Sequence, residues 1–253
     1  MLTKPYYRIY RPFHAITKDP DQFNYLQDDR NCNYRKQLIR VYRLLESETI
    51  DIFQYIEPTN SNVNVYSLQL YHLLTKICIE VENNFKGIFE ANNYSGNLNN
   101  SNIVDYFTIN NHLKLNDYVI ESSYFDVNII NNSPYNQWHS TAYQPLPWYQ
   151  AYNSFKHNRA VNLVKATLDN VLTALAGLNI LLFSQFNYFS ECLSTNGVMM
   201  LYADDFENEP IIPSYHNKLF TFKTKPLWID KDKYNFNWNN LKDSTDPFEK
   251  LNI

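Results

Sequence analysis

The sequence predicts a mainly α protein with a minor β component (α+β). Two long antiparallel helices are expected, with a small β insertion between them and a peripheral C-terminal β segment. Three observations carry this. Leu70, Leu74, Ile77, Val81, Phe85 and Ile88 step by four or three residues, which is the burial seam of one long helix. Asn153, His157, Val161, Val164, Leu168, Val171, Leu175, Leu178, Leu182 and Phe186 repeat that stepping over a second, longer stretch. Between the two, Phe125, Val127 and Ile129 alternate with polar residues at the period of a strand. Neither helix can bury its stripe alone, so each is expected to pack on the other.

Taken in order, residues 1–35 are aromatic and polar without a period, and read as an N-terminal wrapping segment. Arg35 to Ser47 reads as a short helix, with Leu38, Tyr42 and Leu45 inside and Arg35, Lys36, Arg40 and Arg43 outside. Pro58-Thr59-Asn60-Ser61-Asn62 supplies a breaker and N-cap candidates for the first long helix, about Asn64 to Phe89. Lys76–Glu80 and Glu82–Lys86 are i,i+4 pairs on its other faces. An Asn/Ser/Gly loop, Asn92 to Asn102, leads to a short helix at Ile103 to Phe107. Strands are expected at Asp117 to Ser122 and Tyr124 to Ile130, turning at Ser122-Ser123, so the β insertion spans about 103–147. The second long helix begins near Pro147 or Trp148 and is expected to run to Phe189. Tyr202 to Pro210 is acidic, Leu219 to Lys225 reads as a strand, and Trp228 to Ile253 is polar and expected to trail over the surface. Residues 1–253 thus read as one domain, with a helical core at 50–190 and a peripheral segment at 205–253.

Composition excludes several functions. The four glycines, Gly87, Gly96, Gly177 and Gly197, are far apart, so no phosphate-cradling loop of the usual nucleotide-binding kinds can be built. Net charge is −4, so a nucleic-acid partner needs a local basic patch. Cys32, Cys78 and Cys192 are odd in number and scattered, which argues against a disulfide framework and for a reducing, cytoplasmic setting. The Asn-x-Ser sites at Asn93, Asn99 and Asn131 are expected by chance in so Asn-rich a chain. Met1 to Tyr10 has no apolar core of a signal peptide. Val171 to Phe189 is interrupted by Thr173, Asn179, Ser184, Gln185 and Asn187, and its clean apolar run is too short for a bilayer, so no membrane partner is expected. His112, His139, His216 and Asp204-Asp205 lack ligand spacing, so no metal or other cofactor is expected. No Gly-x-Ser-x-Gly elbow or Cys/His nucleophile pair is legible. The basic stripe from Tyr34 to Arg43 suits an RNA backbone or a solvated helix face, and Glu46, Glu48 and Asp51 partly cancel it.

The densest polar chemistry lies at Asn153, Lys156, His157 and Arg159, just after Trp148 and Tyr149. Asn153 and His157 are four apart and share a helix face. An imidazole exchanges protons near neutral pH. Asn153 would hold its tautomer or a substrate oxygen, while Lys156 and Arg159 flank them as phosphate ligands. A helix starting near Asn153 would add its amide dipoles. Metal-independent RNA cleavage needs this kit: a base for the 2′-hydroxyl, an acid for the leaving oxygen, and cations for the phosphorane. The rival reading makes the same residues a satisfied polar staple between the two helices.

The arrangement resembles the HEPN superfamily, whose helical domains carry an Arg-polar-x-x-x-His motif at a helix terminus. The matching positions are Tyr152, Asn153 and His157. Asn153 fits the polar position and His157 the catalytic histidine, but Tyr152 stands where the family has its phosphate-binding arginine. Lys156 and Arg159, one and about two turns further on, are the available replacements. The wider pattern is similar to a group of bacterial proteins with no established activity. It comprises Tyr55-Ile56-Glu57-Pro58, Asn64-Val65-Tyr66-Ser67 and Leu146-Pro147-Trp148-Tyr149-Gln150-Ala151-Tyr152-Asn153-x-x-Lys156-His157-x-Arg159, within roughly residues 50–190. The resemblance implies paired helices, homodimers whose motifs meet in one cleft, and RNases of toxin–antitoxin or anti-phage systems. The expected function is therefore a metal-independent endoribonuclease with His157 as acid/base, Asn153 as orienter, and Lys156 and Arg159 as phosphate ligands. RNA, an antitoxin or other protein, and a second copy are the expected partners. The alternative is a non-catalytic helical interaction or nucleotide-sensing module, which Tyr152 in place of arginine favours.

Overall fold

Ser67, not the Asn-rich run before it, starts the first long helix, because its side chain accepts from Leu70 N at 3.1 Å. A computed structural model describes residues 1–15, 20–122, 124–125, 132–187 and 219–253. Their helices are α1 (Asp29–Cys32), α2 (Arg35–Ile52), α3 (Leu68–Ala91), α4 (Ile103–Phe107), α5 (Asn110–Leu113), α6 (Pro147–His157), α7 (Arg159–Asn162), α8 (Leu168–Phe186) and α9 (Trp238–Leu241). Their strands are β1 (Val119–Glu121) and β2 (Thr221–Thr224). The fold is mainly helical with one small two-stranded sheet.

The expected second helix is broken into α6, the short α7 and α8. The chain leaves helical geometry at Asn158 (φ −149°, ψ 86°), turns through α7, and enters α8 after Thr167, whose side chain accepts from Asn170 N at 3.3 Å. Asn162 Nδ2 donates to the carbonyls of Ser154 and Asn158 at 3.1 and 3.0 Å, and so satisfies groups the break leaves open. Val161 and Val164, placed on the predicted seam, are 70% and 51% exposed on this turn.

The break also overturns the antiparallel pairing of the long helices. Leu168 N and Asp169 N, at the start of α8, each donate at 3.0 Å to Val65 O and Val63 O, just before α3. Late in both helices, Gln185 Nε2 donates to Asn84 Oδ1 at 3.1 Å. Shared starts and shared ends make α3 and α8 parallel. The antiparallel partner is α6, with Tyr149 beside Glu82 and Phe155 against Tyr71. On the other flank α2, which continues past Ser47 to Ile52, is also antiparallel. Its Tyr42 hydroxyl accepts from Asn179 Nδ2 at 2.7 Å, and its Glu48 pairs with Lys76 at 2.7 Å. The core is thus a central α3/α8 pair flanked by α2 and α6. Arg35, expected on the outer side of α2, is buried.

Nearly all of α8 is buried. It is long and apolar enough to cross a membrane, with mean hydropathy 1.2, yet 89% of that window lies inside the protein. Hydrophobicity on every side is what a central core helix requires.

β1 takes part in a long-range pair that local sequence did not announce. β1 is antiparallel to β2, with Ile120 opposite Phe222. Residues 126–130 of the expected partner strand lie outside the described residues, and Tyr124 and Phe125 are not in a strand. The C-terminal stretch does not trail over the surface. Tyr234, Trp238, Phe248 and Leu251 are buried, and bridges join Leu2 and Phe13 to Tyr234, Tyr6 to Glu249, and Asn93 to Asn252. Phe13, Tyr25, Tyr234 and Phe236 pack edge to face or tilted between the two terminal segments. The N-terminal segment wraps this chain's own C-terminal segment.

That wrapping drives Arg8 into the bundle. It is 1% exposed, and its backbone sits in the left-handed region at φ 56°. Its guanidinium donates to Gln185 Oε1 at 2.6 and 2.9 Å and to the Tyr34 hydroxyl at 2.8 Å. No described carboxylate pairs with it, and burial lowers its pKa below the usual arginine range. Gly87 makes room for it: a Cβ there would overlap Arg8 Nη1, with Cζ at 2.7 Å and the Tyr34 hydroxyl at 2.9 Å. Mid-helix Gly→Ala ordinarily gains about 0.8–1 kcal/mol. Here Gly87→Ala is expected to lose about 1–3 kcal/mol instead, the usual cost of overpacking. Urea unfolding measures it, and a stabilised variant would refute the packing described.

Candidate functional site

Pro147 opens α6 at a position where its missing N–H costs nothing. Trp148, Tyr149, Ala151, Tyr152 and Phe155 form the buried face of the helix. Trp148 Nε1 donates to Pro134 O at 3.0 Å, and Phe155 meets the Tyr71 ring at 4.8 Å. The inward stripe is therefore displaced by one position from the predicted Asn153–His157 line. Asn153 is half-buried, and Lys156, His157 and Arg159 are exposed.

His157 is the last residue of α6, and no described residue hydrogen-bonds its ring. Arg159 begins α7, its Cζ 5.8 Å from the Tyr71 ring centroid and outside any ion pair among the described residues. Lys165 Nζ donates to Ser154 Oγ at 3.0 Å. The helix ends here and does not begin. Its dipole therefore stabilises Lys156 and His157, and adds nothing to the attraction of an anion.

Sequence reasoning missed Glu82, assigning it only to Lys86. On α3 its carboxylate accepts from the Tyr149 hydroxyl at 2.8 Å and lies 3.8 Å from Lys156 Nζ, with the Tyr152 phenol also against it. Lys156 Nζ stands 5.1 Å over the Tyr152 ring. Burial first, then the charge of Glu82, pushes the pKa of both phenols above the usual tyrosine value. Burial, with Glu82 second, likewise pushes up the Cys78 thiol. A polar staple between helices does exist, but Glu82, Tyr149, Tyr152 and Lys156 make it, and of the four predicted residues only Lys156 takes part. The available signal was the spacing of Tyr149, Tyr152 and Lys156, three and four apart on one face. Tyr152 is thus committed to this staple, its ring under Lys156 and its phenol against Glu82.

Elsewhere, His139 Nδ1 is 2.8 Å from Asn116 Nδ2, and burial lowers the pKa of His112. His216, Asp204, Asp205 and Cys192 lie outside the described residues. Cys32 and Cys78 are free and buried. Among the described residues, no group of three His, Cys, Asp or Glu side chains gathers as a metal site. On the outer face of α2, Lys36, Arg40 and Arg43 are exposed. Compared with family models, curated proteins and solved structures, the chain matches none.

Folding raises the Tyr149 and Tyr152 pKa values, and burial also pushes Tyr106 up to about 12. As pH rises, the unfolded chain loses these protons first, from about pH 10. The stability they contribute is complete below about pH 10 and is lost above it. Urea midpoints are expected to fall between about pH 10 and pH 11. Tyr149→Phe is expected to cost about 1.5–3 kcal/mol at neutral pH, the range for a hydrogen bond to a charged group. It should also shallow the alkaline decline. An unchanged neutral midpoint would mean that the staple carries no stability.

Proposed function

We propose that the end of α6 is an RNA-directed site with metal-independent endoribonuclease chemistry of the HEPN kind. The observation that supports this most is the state of His157. Its ring is exposed, bonded by no described residue, and placed between Lys156 and Arg159. Residues 153–168 contain no acid, in a chain whose net charge is −4.

In this reading His157 removes the 2′-hydroxyl proton and the 2′-oxygen attacks the adjacent phosphorus. The 5′-oxygen leaves with a proton, and a 2′,3′-cyclic phosphate remains. Arg159 holds the non-bridging oxygens, the role left vacant by Tyr152. Lys156 is divided between Glu82 and the phosphate, and Asn153, one turn back on the same face, orients the imidazole or a sugar oxygen. One imidazole cannot be base and acid in the same step, so a second copy, bringing a second His157, is the natural supplier of the acid. An antitoxin-like protein partner and a cytoplasmic setting belong to the same proposal.

A second reading, a non-catalytic interaction or nucleotide-sensing module, is favoured by the exposed Val161 and Val164. Aliphatic side chains beside cations suit a protein surface better than an RNA backbone.

Purified protein with a single-stranded RNA in EDTA separates the two. Cleavage with cyclic phosphate ends is expected. His157→Ala is expected to lower its rate about 10²–10⁴-fold, the usual share of general acid–base catalysis, with unfolding unchanged. Arg159→Ala is expected to weaken RNA binding and flatten its salt dependence. A wild-type protein that cuts nothing, and binds RNA no better than Arg159→Ala, sinks the nuclease reading.

A further inference from the structure

At the far end of the bundle from His157, the terminal segments enclose a second candidate site. We propose that this cavity binds a small planar aromatic ring carrying an anionic group, independently of the reading given to the α6 terminus. It holds about 320 Å³, within the range of small-molecule sites. Its walls are Phe13, Phe23, Tyr118, Phe183 and Trp228. They come from the N-terminal segment, the chain before β1, the last turn of α8 and the stretch after β2. Phe183 lies fifteen positions beyond Leu168 at the start of α8, so roughly 20 Å of helix separates the two sites.

The walls are held by their own packing. Phe13 meets Phe23 edge to face at 5.3 Å, and Tyr118 meets Phe183 likewise at 5.9 Å. The Trp228 indole is fixed by two cations, Arg11 at 5.0 Å and Lys114 at 4.6 Å, and Lys114 also donates to Leu227 O at 2.9 Å. Preset aromatic faces take a planar ring by offset or edge contact.

The described lining is basic: His14, Lys225 and Lys233 line the cavity, and no described carboxylate does. Asp230 pairs with two of these, 3.0 Å from Lys233 and 3.6 Å from His14, and it is well exposed outside the described lining. Exposed pairs of this kind hold their partners weakly, so an incoming anion can draw Lys233 and His14 inward. Aromatic walls with cations and no acid among the described lining residues select a ring that carries a carboxylate, sulfonate or phosphate over a neutral or cationic one.

Titration of the full chain with 8-anilino-1-naphthalenesulfonate tests this, with neutral N-phenyl-1-naphthylamine as the control. One saturable sulfonate site per chain is expected. Lys233→Glu should weaken the sulfonate about tenfold, a charge reversal at a partly exposed site, and leave the neutral probe unchanged. Trp228→Ala should weaken both probes, with circular dichroism confirming that it folds. Displacement by 5′-AMP identifies a nucleotide as the ligand class, and displacement by indole-3-acetate an aromatic carboxylate. Unsaturable sulfonate binding, an affinity indifferent to both variants, or displacement by neither competitor overturns the proposal.

Discussion

The parallel alignment of α3 and α8 is the constraint on which the rest of the structure depends, and it is secured at both ends by polar groups. At their starts, the strap before α3 accepts the first amides of α8. Near their ends, Asn84 and Gln185 bond each other and share the buried guanidinium of Arg8. A buried charge without a carboxylate is costly unless its donors are filled. Here two side-chain amides and a phenol fill them, and the Tyr34 and Phe186 rings lie 5.5 and 5.6 Å from Cζ. Parallel helices need a long return path, so the chain between α3 and α8 supplies α6 running the other way. The direction of α6, and with it the place where His157 emerges, follows from this alignment.

Much of the fold was legible, and the parts that were not share a cause. The α3 seam, the start of α2, the short helix after Asn102 and the strand near Phe222 all rest on local periodicity, and local periodicity served them well. The break at Asn158 escaped because steps of four and three continue through it. Val161 and Val164 keep the phase of a helix that has already turned away. Periodicity reports which residues could share a face, and says nothing of chain direction. The pairing of β1 with β2 spans about a hundred residues and has no local signature at all. The C-terminal segment was misjudged for the same reason: Phe13 and Tyr234 become core only by meeting one another, with Leu2 packed against them.

The site was half legible in the same sense. Residue types singled out a stretch whose Lys156 and Arg159 do stand exposed around one helix end. The inward face was misplaced by one position, which on a helix is a rotation of about 100°. That rotation exchanges the fates of two neighbours. Tyr152 goes inside to Glu82, and Asn153 with His157 turns outward. Glu82 was invisible as a partner because its ligands come from a helix whose direction the sequence does not reveal.

Which cations can serve an anion then follows from what each already holds. Lys156 is partly neutralised by Glu82 at 3.8 Å. Among the described residues Arg159 lies against the Tyr71 ring and Lys165 bonds a neutral hydroxyl, so neither meets a carboxylate there. Screening at physiological salt acts over about 8 Å, so acids more distant than that subtract little from this patch despite the negative whole. An arriving phosphate would thus meet Arg159 first and feel Lys156 as a hydrogen-bond donor more than as a charge. In the proposed site, the staple that holds Tyr152 against Glu82 would also weaken Lys156 as a phosphate ligand. The burden would then fall on Arg159, on the far side of the break, where the chain has begun a new turn and the side chain is exposed.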